Sequence, residues 1–219
     1  MIELKNIVKD YDNGKCCTHA LRGVNLKIEK GELVSIVGPS GSGKSTLLNI
    51  LGGMDSATSG EYMYNGELVS SYDFIKLHCF RKENISFVFQ NFALMNQYTV
   101  YENVEMPLLA RRIKKRKEIV RRCLENVGIM ELANKYPTQI SGGQQQRCAI
   151  ARALAANTQL ILADEPTGAL DKATAEEIID CFIEMNKMGK TVIIITHDLN
   201  IAKRCNKIIH IEDGILVEE

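Results

Sequence analysis

The stretch Gly38-Pro39-Ser40-Gly41-Ser42-Gly43-Lys44-Ser45-Thr46 constrains this chain more than any other, because such a loop belongs at the junction of a buried strand and a helix. Ahead of it, Leu33-Val34-Ser35-Ile36-Val37 is a short apolar, β-branched run that reads as a buried strand. Behind it, Ser45-Thr46-Leu47-Leu48-Asn49-Ile50-Leu51 carries apolar residues at helical period. Gly38, Gly41 and Gly43 let the backbone curl so that successive N–H groups point at an anion, while the helix adds its positive N-terminal end. The pattern Gly-x-x-x-x-Gly-Lys-Ser in this setting is a Walker A phosphate loop. Lys44 is expected to reach the β and γ phosphates of a nucleotide, and the Ser45 hydroxyl to ligate magnesium. The bland alternative, a glycine-rich turn with a surface lysine, does not account for the strand and helix on either side.

The chain has 219 residues, enough for one domain or one domain with a sizeable insertion. Lysine plus arginine and aspartate plus glutamate are 27 each, so the zero net charge gives no global pull toward nucleic acid or anionic lipid. No nucleic-acid partner is expected. The opening Met-Ile-Glu-Leu-Lys-Asn lacks a signal-peptide layout, and no apolar run is long enough to span a bilayer, so a cytosolic setting is expected. Seven cysteines without Cys-x-x-Cys spacing make neither a disulfide framework nor a zinc site, and they are read as reduced. The vicinal pair Cys16-Cys17 is read as two incidental loop thiols rather than a thiophilic site.

Ile2 to Tyr11 alternates apolar and polar residues like a half-buried strand and breaks at the turn residues Asp12-Asn13-Gly14. Tyr11, at the strand end, either stacks on a purine or only packs the rim; the residues leave both open. Val24 to Glu29 alternates again, which predicts an antiparallel part before the central strand. Gly52-Gly53 breaks the loop's helix, and Thr58-Ser59-Gly60 turns into a strand over Glu61 to Tyr64. Ile85-Ser86-Phe87-Val88-Phe89 is a buried strand ending in Gln90, a polar residue where ligands bind in α/β sheets.

From Asn91 onward the texture becomes helical, with periodic stretches over Val100 to Leu109 and Lys117 to Val127. The densely basic Arg111 to Arg122 is either a dock for acidic headgroups or a partner, or a solvated helix face. Ser141 and Gln144 have capping-box spacing at the start of the next helix. Yet Gly142 and Gly143 in its first turn suit close approach to a phosphate better than they suit helix stability. Leu160-Ile161-Leu162-Ala163-Asp164-Glu165 is an apolar strand ending in paired carboxylates. Asp164 is expected to hold magnesium and Glu165 to polarise an attacking water. After the loop Pro166 to Asp171, the spacing Thr174-Ala175-Glu176-Glu177 predicts a second capping box. Thr191 to Thr196 reads as a strand buried on both faces, ending in His197, which either caps the strand or bonds a γ-phosphate oxygen or the attacking water. Two short strands, Lys207 to Ile211 and Ile215 to Glu218, flank an Asp213-Gly214 hairpin turn.

These residues together resemble one family over the whole chain, the ATP-binding-cassette (ABC) ATPases. Tyr11 matches its adenine-stacking aromatic, Gly38 to Thr46 its Walker A loop and Gln90 its Q-loop glutamine. Ser141-Gly142-Gly143-Gln144 matches the family-defining motif, Asp164 and Glu165 the Walker B pair, Asp171 the D-loop aspartate and His197 the switch histidine. Ile140 stands where the family usually has leucine, and Gly168 where serine is frequent. Gly52-Gly53-Met54-Asp55, Phe87 to Gln90, Glu102 to Leu108 and Ser141 to Arg147 look like the macrolide-exporter and lipoprotein-release branch, which also holds antimicrobial-peptide exporters and a cell-division relative.

The resemblance implies an α/β fold. A P-loop NTPase core, mostly parallel sheet with an N-terminal antiparallel part, would span 1–90 and 158–219, and a helical subdomain 91–157. It implies ATP and Mg2+ as cofactors, with Ser45, Asp164 and Gln90 around the metal and Gln90, Glu165 and His197 in hydrolysis. Further implications are a head-to-tail homodimer with two sandwiched nucleotides, and a separate permease that would hold the chain at the cytoplasmic face of the membrane. A force-transmitting version without transport, and a soluble ABC ATPase, are the alternatives.

Overall fold

In a parallel sheet covered on both faces every strand residue is buried, and successive residues belong to different cores. The computed structural model, which describes residues 1–12, 14 and 16–217, shows this in β3 (Leu33–Val37) and β8 (Thr191–Ile195), buried throughout, and in β7 (Leu160–Asp164) up to its last residue. Val34, Ile36, Leu160, Leu162, Ile193 and Ile195 pack into one apolar cluster. Leu33, Ile161, Ala163, Val192 and Ile194 pack into another. The continuous β-branched runs are thus two interleaved half-patterns.

The six-stranded sheet adds β6 (Ile85–Phe89), β9 (Lys207–Glu212) and β10 (Ile215–Val217), in the order β10-β9-β3-β8-β7-β6, parallel except for β10. Register places Phe89 beside Asp164 and Asp164 beside Ile195. The carboxyl ends of these strands therefore share one edge, followed there by Gln90, Glu165 and Thr196-His197. A second, antiparallel sheet is built from β1 (Ile2–Asp12), β2 (Cys17–Ile28), β4 (Ser59–Tyr64) and β5 (Glu67–Leu68) in the order β2-β1-β4-β5. Its inward residues Ile2, Leu4, Ile7, Leu21 and Leu26 share one core with Leu47, Leu48, Ile50 and Leu51 of α1 (Lys44–Leu51), so the loop's helix is wedged beneath this sheet.

The other face of the parallel sheet is covered by α5 (Gly142–Ala156) and α6 (Lys172–Lys187). Against α5 pack α3 (Val100–Ala110), through Val100, Val104 and Leu108, and α4 (Arg116–Asn126), through Val120, Cys123 and Leu124. Among the described residues no helix is long and apolar enough to cross a membrane.

Several expectations need correction. The second capping box does not form: Asp171 caps α6, accepting from the Thr174 amide at 3.1 Å, so the helix starts earlier than the Thr174-x-x-Glu177 spacing predicts. The basic stretch is not one helix face, because α4 begins at Arg116, and Arg111 is fixed by donating to the carbonyls of Ala156 and Lys82. Two helices were not anticipated: α2 (Phe74–Asn84), capped by Asp73, and the single turn α7 (Leu199–Ala202). The strand predicted to end at Tyr11 runs to Asp12. Asn13 of the expected turn and Glu218 of the expected last strand lie outside the described residues.

Asn103 is buried in α3 and latches the loop after β6. Its Nδ2 donates to the carbonyls of Met95, Tyr98 and Thr99 at 2.9–3.1 Å, and its Oδ1 accepts from the Met95 amide at 2.9 Å. Asn103→Ala strands these buried groups, so it should destabilise the chain by about 2–3 kcal/mol in urea unfolding, with early amide exchange in 94–99. A change under about 0.5 kcal/mol would contradict the latch.

Candidate functional site

The phosphate loop is shaped by what presses on it. A Cβ at Gly38 would lie 2.1 Å from the Ile211 carbonyl oxygen, and Gly43, at φ 100°, would meet the Ala20 carbonyl at 2.5 Å. Only glycine permits that approach, which holds the loop against β9 and β2. Lys44 then folds back over the loop, donating to the carbonyls of Gly38 (2.8 Å) and Pro39 (2.6 Å). Among the described residues its ammonium forms no ion pair, so the cation is held by these loop carbonyls beside a helix N-terminus. Ser42 Oγ is buried beside Gly38 without a hydrogen-bond partner.

A cleft of about 800 Å³ opens over this loop. Lining it are Ser40, Gly41, Gly43, Lys44, Ser45 and Thr46 from the loop, Tyr11 from β1, and Asp164, Glu165 and His197 from the carboxyl edge of the sheet. Burial first, and the neighbouring Glu165 charge second, push the Asp164 carboxyl above the usual carboxylate range, against the Ser45 hydroxyl hydrogen bond and the Lys44 charge. The Ser45 hydroxyl and Asp164 carboxylate form a small hard-oxygen set that fits magnesium.

Glu165 follows in the left-handed region, at φ 45°, with its amide donating to Ile195. That conformation is uncommon for a non-glycine residue and turns Glu165 out of the strand direction of Asp164. Oε1 of Glu165 contacts His197 Nδ1 at 2.9 Å, whereas Oε2 is buried without a partner.

Tyr11 is positioned by a contact the sequence does not display. Its hydroxyl donates to Asp55 at 2.7 Å, and Lys9 bonds the other Asp55 oxygen while its ammonium lies 4.7 Å from the Tyr11 ring centre. Burial acts against ionisation of Asp55, but the Lys9 and Tyr11 hydrogen bonds hold its carboxyl below the usual range. The ring held in this way lines the cleft.

Gln90, Ser141, Gly142, Gly143, Gln144 and Asp171 do not line this cleft. Gln90 lies against Gly168, where a Cβ would come 2.7 Å from Nε2, so glycine at this loop position leaves room for the glutamine. Ser141 and Gln144 form the expected capping box. A Cβ at Gly143 would meet Thr174 Cγ2 at 2.4 Å, so packing against α6 also demands this glycine. Gln146 was missed: fully buried, it donates to the Pro166 carbonyl at 2.8 Å and so ties the helix behind Ser141 to the loop behind Glu165. Its partner lies 20 residues away in sequence, and within the polar run Gln144-Gln145-Gln146-Arg147 nothing local marks it as the buried one.

Because the folded-state pKa of Asp164 is raised, the folded chain keeps a proton there that the unfolded chain has already released. Stability therefore falls as pH rises through that window, and the ionised carboxylate is a net cost at neutral pH. Asp164→Asn should raise the thermal midpoint of the nucleotide-free chain at pH 7 while weakening magnesium-dependent nucleotide binding. A lowered midpoint would contradict this electrostatic account.

Comparison with known proteins agrees with the geometry. The ABC transporter family model matches residues 21–168. The chain is 48% identical to the uncharacterised ABC transporter ATP-binding protein MJ0796 of Methanocaldococcus jannaschii, covering 100% of this chain and 96% of that one. It is 44% identical to the macrolide export ATP-binding/permease protein MacB of Bradyrhizobium diazoefficiens, again over the full chain, but it spans only 34% of that relative's length. Among solved structures, the dimeric post-hydrolysis state of the MJ0796 cassette bound to ADP and Pi is similar with a TM-score of 0.92 at 44% identity, covering 100% and 97% of the two chains. With its phosphate loop, paired carboxylates and histidine gathered in one cleft, this chain belongs to the ABC transporter family, as an ATP-binding domain.

Proposed function

We propose that the chain is an ATP-hydrolysing motor subunit that closes head to tail on a second copy and drives a separate membrane permease from the cytoplasmic face. One observation carries this reading. The cleft holds the phosphate loop, Asp164, Glu165 and His197, while the glycine-containing helix start at Ser141 to Gln144 lies outside it. A second anion-binding surface that does not serve its own chain's cleft is suited to serve another's. The MJ0796 cassette, similar over the full chain, is a dimer bound to ADP and Pi.

In this reading the loop amides of Gly38 to Thr46 and the start of α1 hold the phosphates. Lys44 exchanges its carbonyl contacts for phosphate oxygens, and Tyr11 stacks on the adenine. Magnesium, held by Ser45 and Asp164 with Gln90 nearby, neutralises charge on the β and γ phosphate oxygens. His197 engages Oε1 of Glu165 and so orients the carboxylate that lines the cleft, where it serves as acceptor for a proton of the attacking water. Ser141, Gly142, Gly143, Gln144 and Asp171 of the second copy complete the γ-phosphate site.

Residues 91–157 form the helical subdomain, and the permease docks on it and on the loop from Gln90 to Tyr98. There Met95 and Tyr98 are exposed, whereas Leu94 packs inward. Arg152 fixes this loop by donating to the carbonyls of Phe92 and Ala93, so a helix seated there would feel the position of Gln90. The resemblance to macrolide-export and lipoprotein-release cassettes makes a hydrophobic or peptide-like substrate, exported or released, the best-supported cargo.

Glu165→Gln keeps the shape of the side chain but removes its basicity. ATP turnover should fall by at least about 100-fold, roughly 3 kcal/mol of barrier, with ATP binding retained. By size-exclusion chromatography this variant should run as a dimer with ATP and as a monomer with ADP. Normal turnover would move the base elsewhere, and identical elution under both nucleotides would contradict the shared site.

A further inference from the structure

At the open end of the β1–β2 pair, the register sets Asp10 opposite His19, Tyr11 opposite Thr18 and Asp12 opposite Cys17. Residues two apart on a strand share a face, so Cys17 and His19 project from the same side as Asp10. A register shift between Lys9 and Asp10 precedes this group, an irregularity of the kind that re-aims side chains. One ligand atom from each of Asp10, Cys17 and His19 falls within 4.8 Å of the other two. The Asp10 carboxylate and His19 Nδ1 are 2.7 Å apart.

We propose that Asp10, Cys17 and His19 form a zinc site at the rim of the nucleotide cleft. A thiolate, an imidazole and a carboxylate are the three ligand types zinc takes, at about 2.0–2.3 Å in a tetrahedron. Magnesium prefers oxygen alone, so this site and the Ser45–Asp164 set select different ions. Ligands of a tetrahedral ion at those bond lengths stand about 3.3–3.8 Å apart. The Asp10–His19 contact therefore opens by less than about 1 Å, and the thiol closes by a similar amount. Both motions are open to these side chains, since Cys17 and His19 are exposed and Asp10 is half-buried.

On binding, a Zn–S bond forms as the Cys17 thiol proton leaves to solvent, the proton that His19 Nδ1 donates to Asp10 passes through solvent to Nε2, and Zn–O and Zn–N bonds replace that hydrogen bond as waters leave the hydrated ion. Water takes the fourth position, because Cys16 precedes the strand and is not one of the clustered groups. His19 also lines the nucleotide cleft, so the ion would sit at the rim of that cleft, on the strand face opposite to the one that carries Tyr11 and Thr18.

The test uses the full chain, reduced and metal-free, titrated with cobalt(II) as a spectroscopic probe and with zinc in competition with a chromophoric chelator. One equivalent of cobalt should produce the intense visible absorption of a tetrahedral ion together with a thiolate-to-cobalt band, and zinc should bleach both. Cys17→Ser should lose the thiolate band and weaken zinc binding by at least about tenfold, since even an outer-shell partner is worth that much. His19→Ala should weaken zinc binding similarly, and Cys16→Ser should leave band and affinity unchanged. An unchanged band and affinity in Cys17→Ser, or their loss in Cys16→Ser instead, would overturn the assignment.

Discussion

Two carboxylates in succession at the end of a strand buried on both faces repel each other where water is scarce, and most of the site is arranged around that repulsion. Burial first, and that repulsion second, make Asp164 hold its proton more tightly than an exposed carboxyl would, relieved only in part by Ser45 and Lys44. Glu165 answers with geometry: its left-handed backbone turns it away, and His197 engages one of its oxygens. The pair stays in place because β7 lies between β6 and β8 in a register that allows no drift. Slipping by one residue would exchange its two apolar half-patterns and drive a carboxylate into a core.

The same layering explains how a binding event at the edge can reach the helices. α1 is wedged between the two sheets, α5 and α6 cover the opposite face, and Gln146 connects α5 to the loop that follows Glu165. Gln90, pressed against Gly168 in that loop, begins the segment that Asn103 and Arg152 hold in position. Carboxylate, glutamine, loop and helix start thus form one contiguous packed path. Contiguity permits coupling between nucleotide and helices; the coupling itself rests on the two-state closure proposed for the dimer.

Features carried by local pattern were legible in the sequence. The strand, loop and helix around Lys44 needed only period and glycine spacing, and the Ser141–Gln144 box needed only four residues. What escaped depended on partners distant in the chain or on two local signals in competition. Helix α2 buries only Phe80 and exposes Phe74 and Ile75, so it shows no apolar face to read. Thr174 imitates a cap because it stands three residues after the real one, Asp171, and bonds it. Asp55 reaches Tyr11 across 44 residues, and Asp10 meets His19 only once strand register is known. The seven cysteines gave no zinc spacing for that reason: the proposed ligands are joined by a ladder, not by a motif.

The central claim is that one chain supplies only half of each site. Mixing two variants, each inactive alone, tests it most directly: Lys44→Ala lacks the phosphate cation, and Ser141→Arg blocks the surface offered to the partner. In the mixed dimer, Lys44 of the second variant faces Ser141 of the first, so one complete site is rebuilt. The account predicts that ATP hydrolysis, absent from either variant, reappears on mixing in proportion to the mixed dimer formed. Full activity of Ser141→Arg alone, or no recovery from two variants that fold and associate, would contradict it.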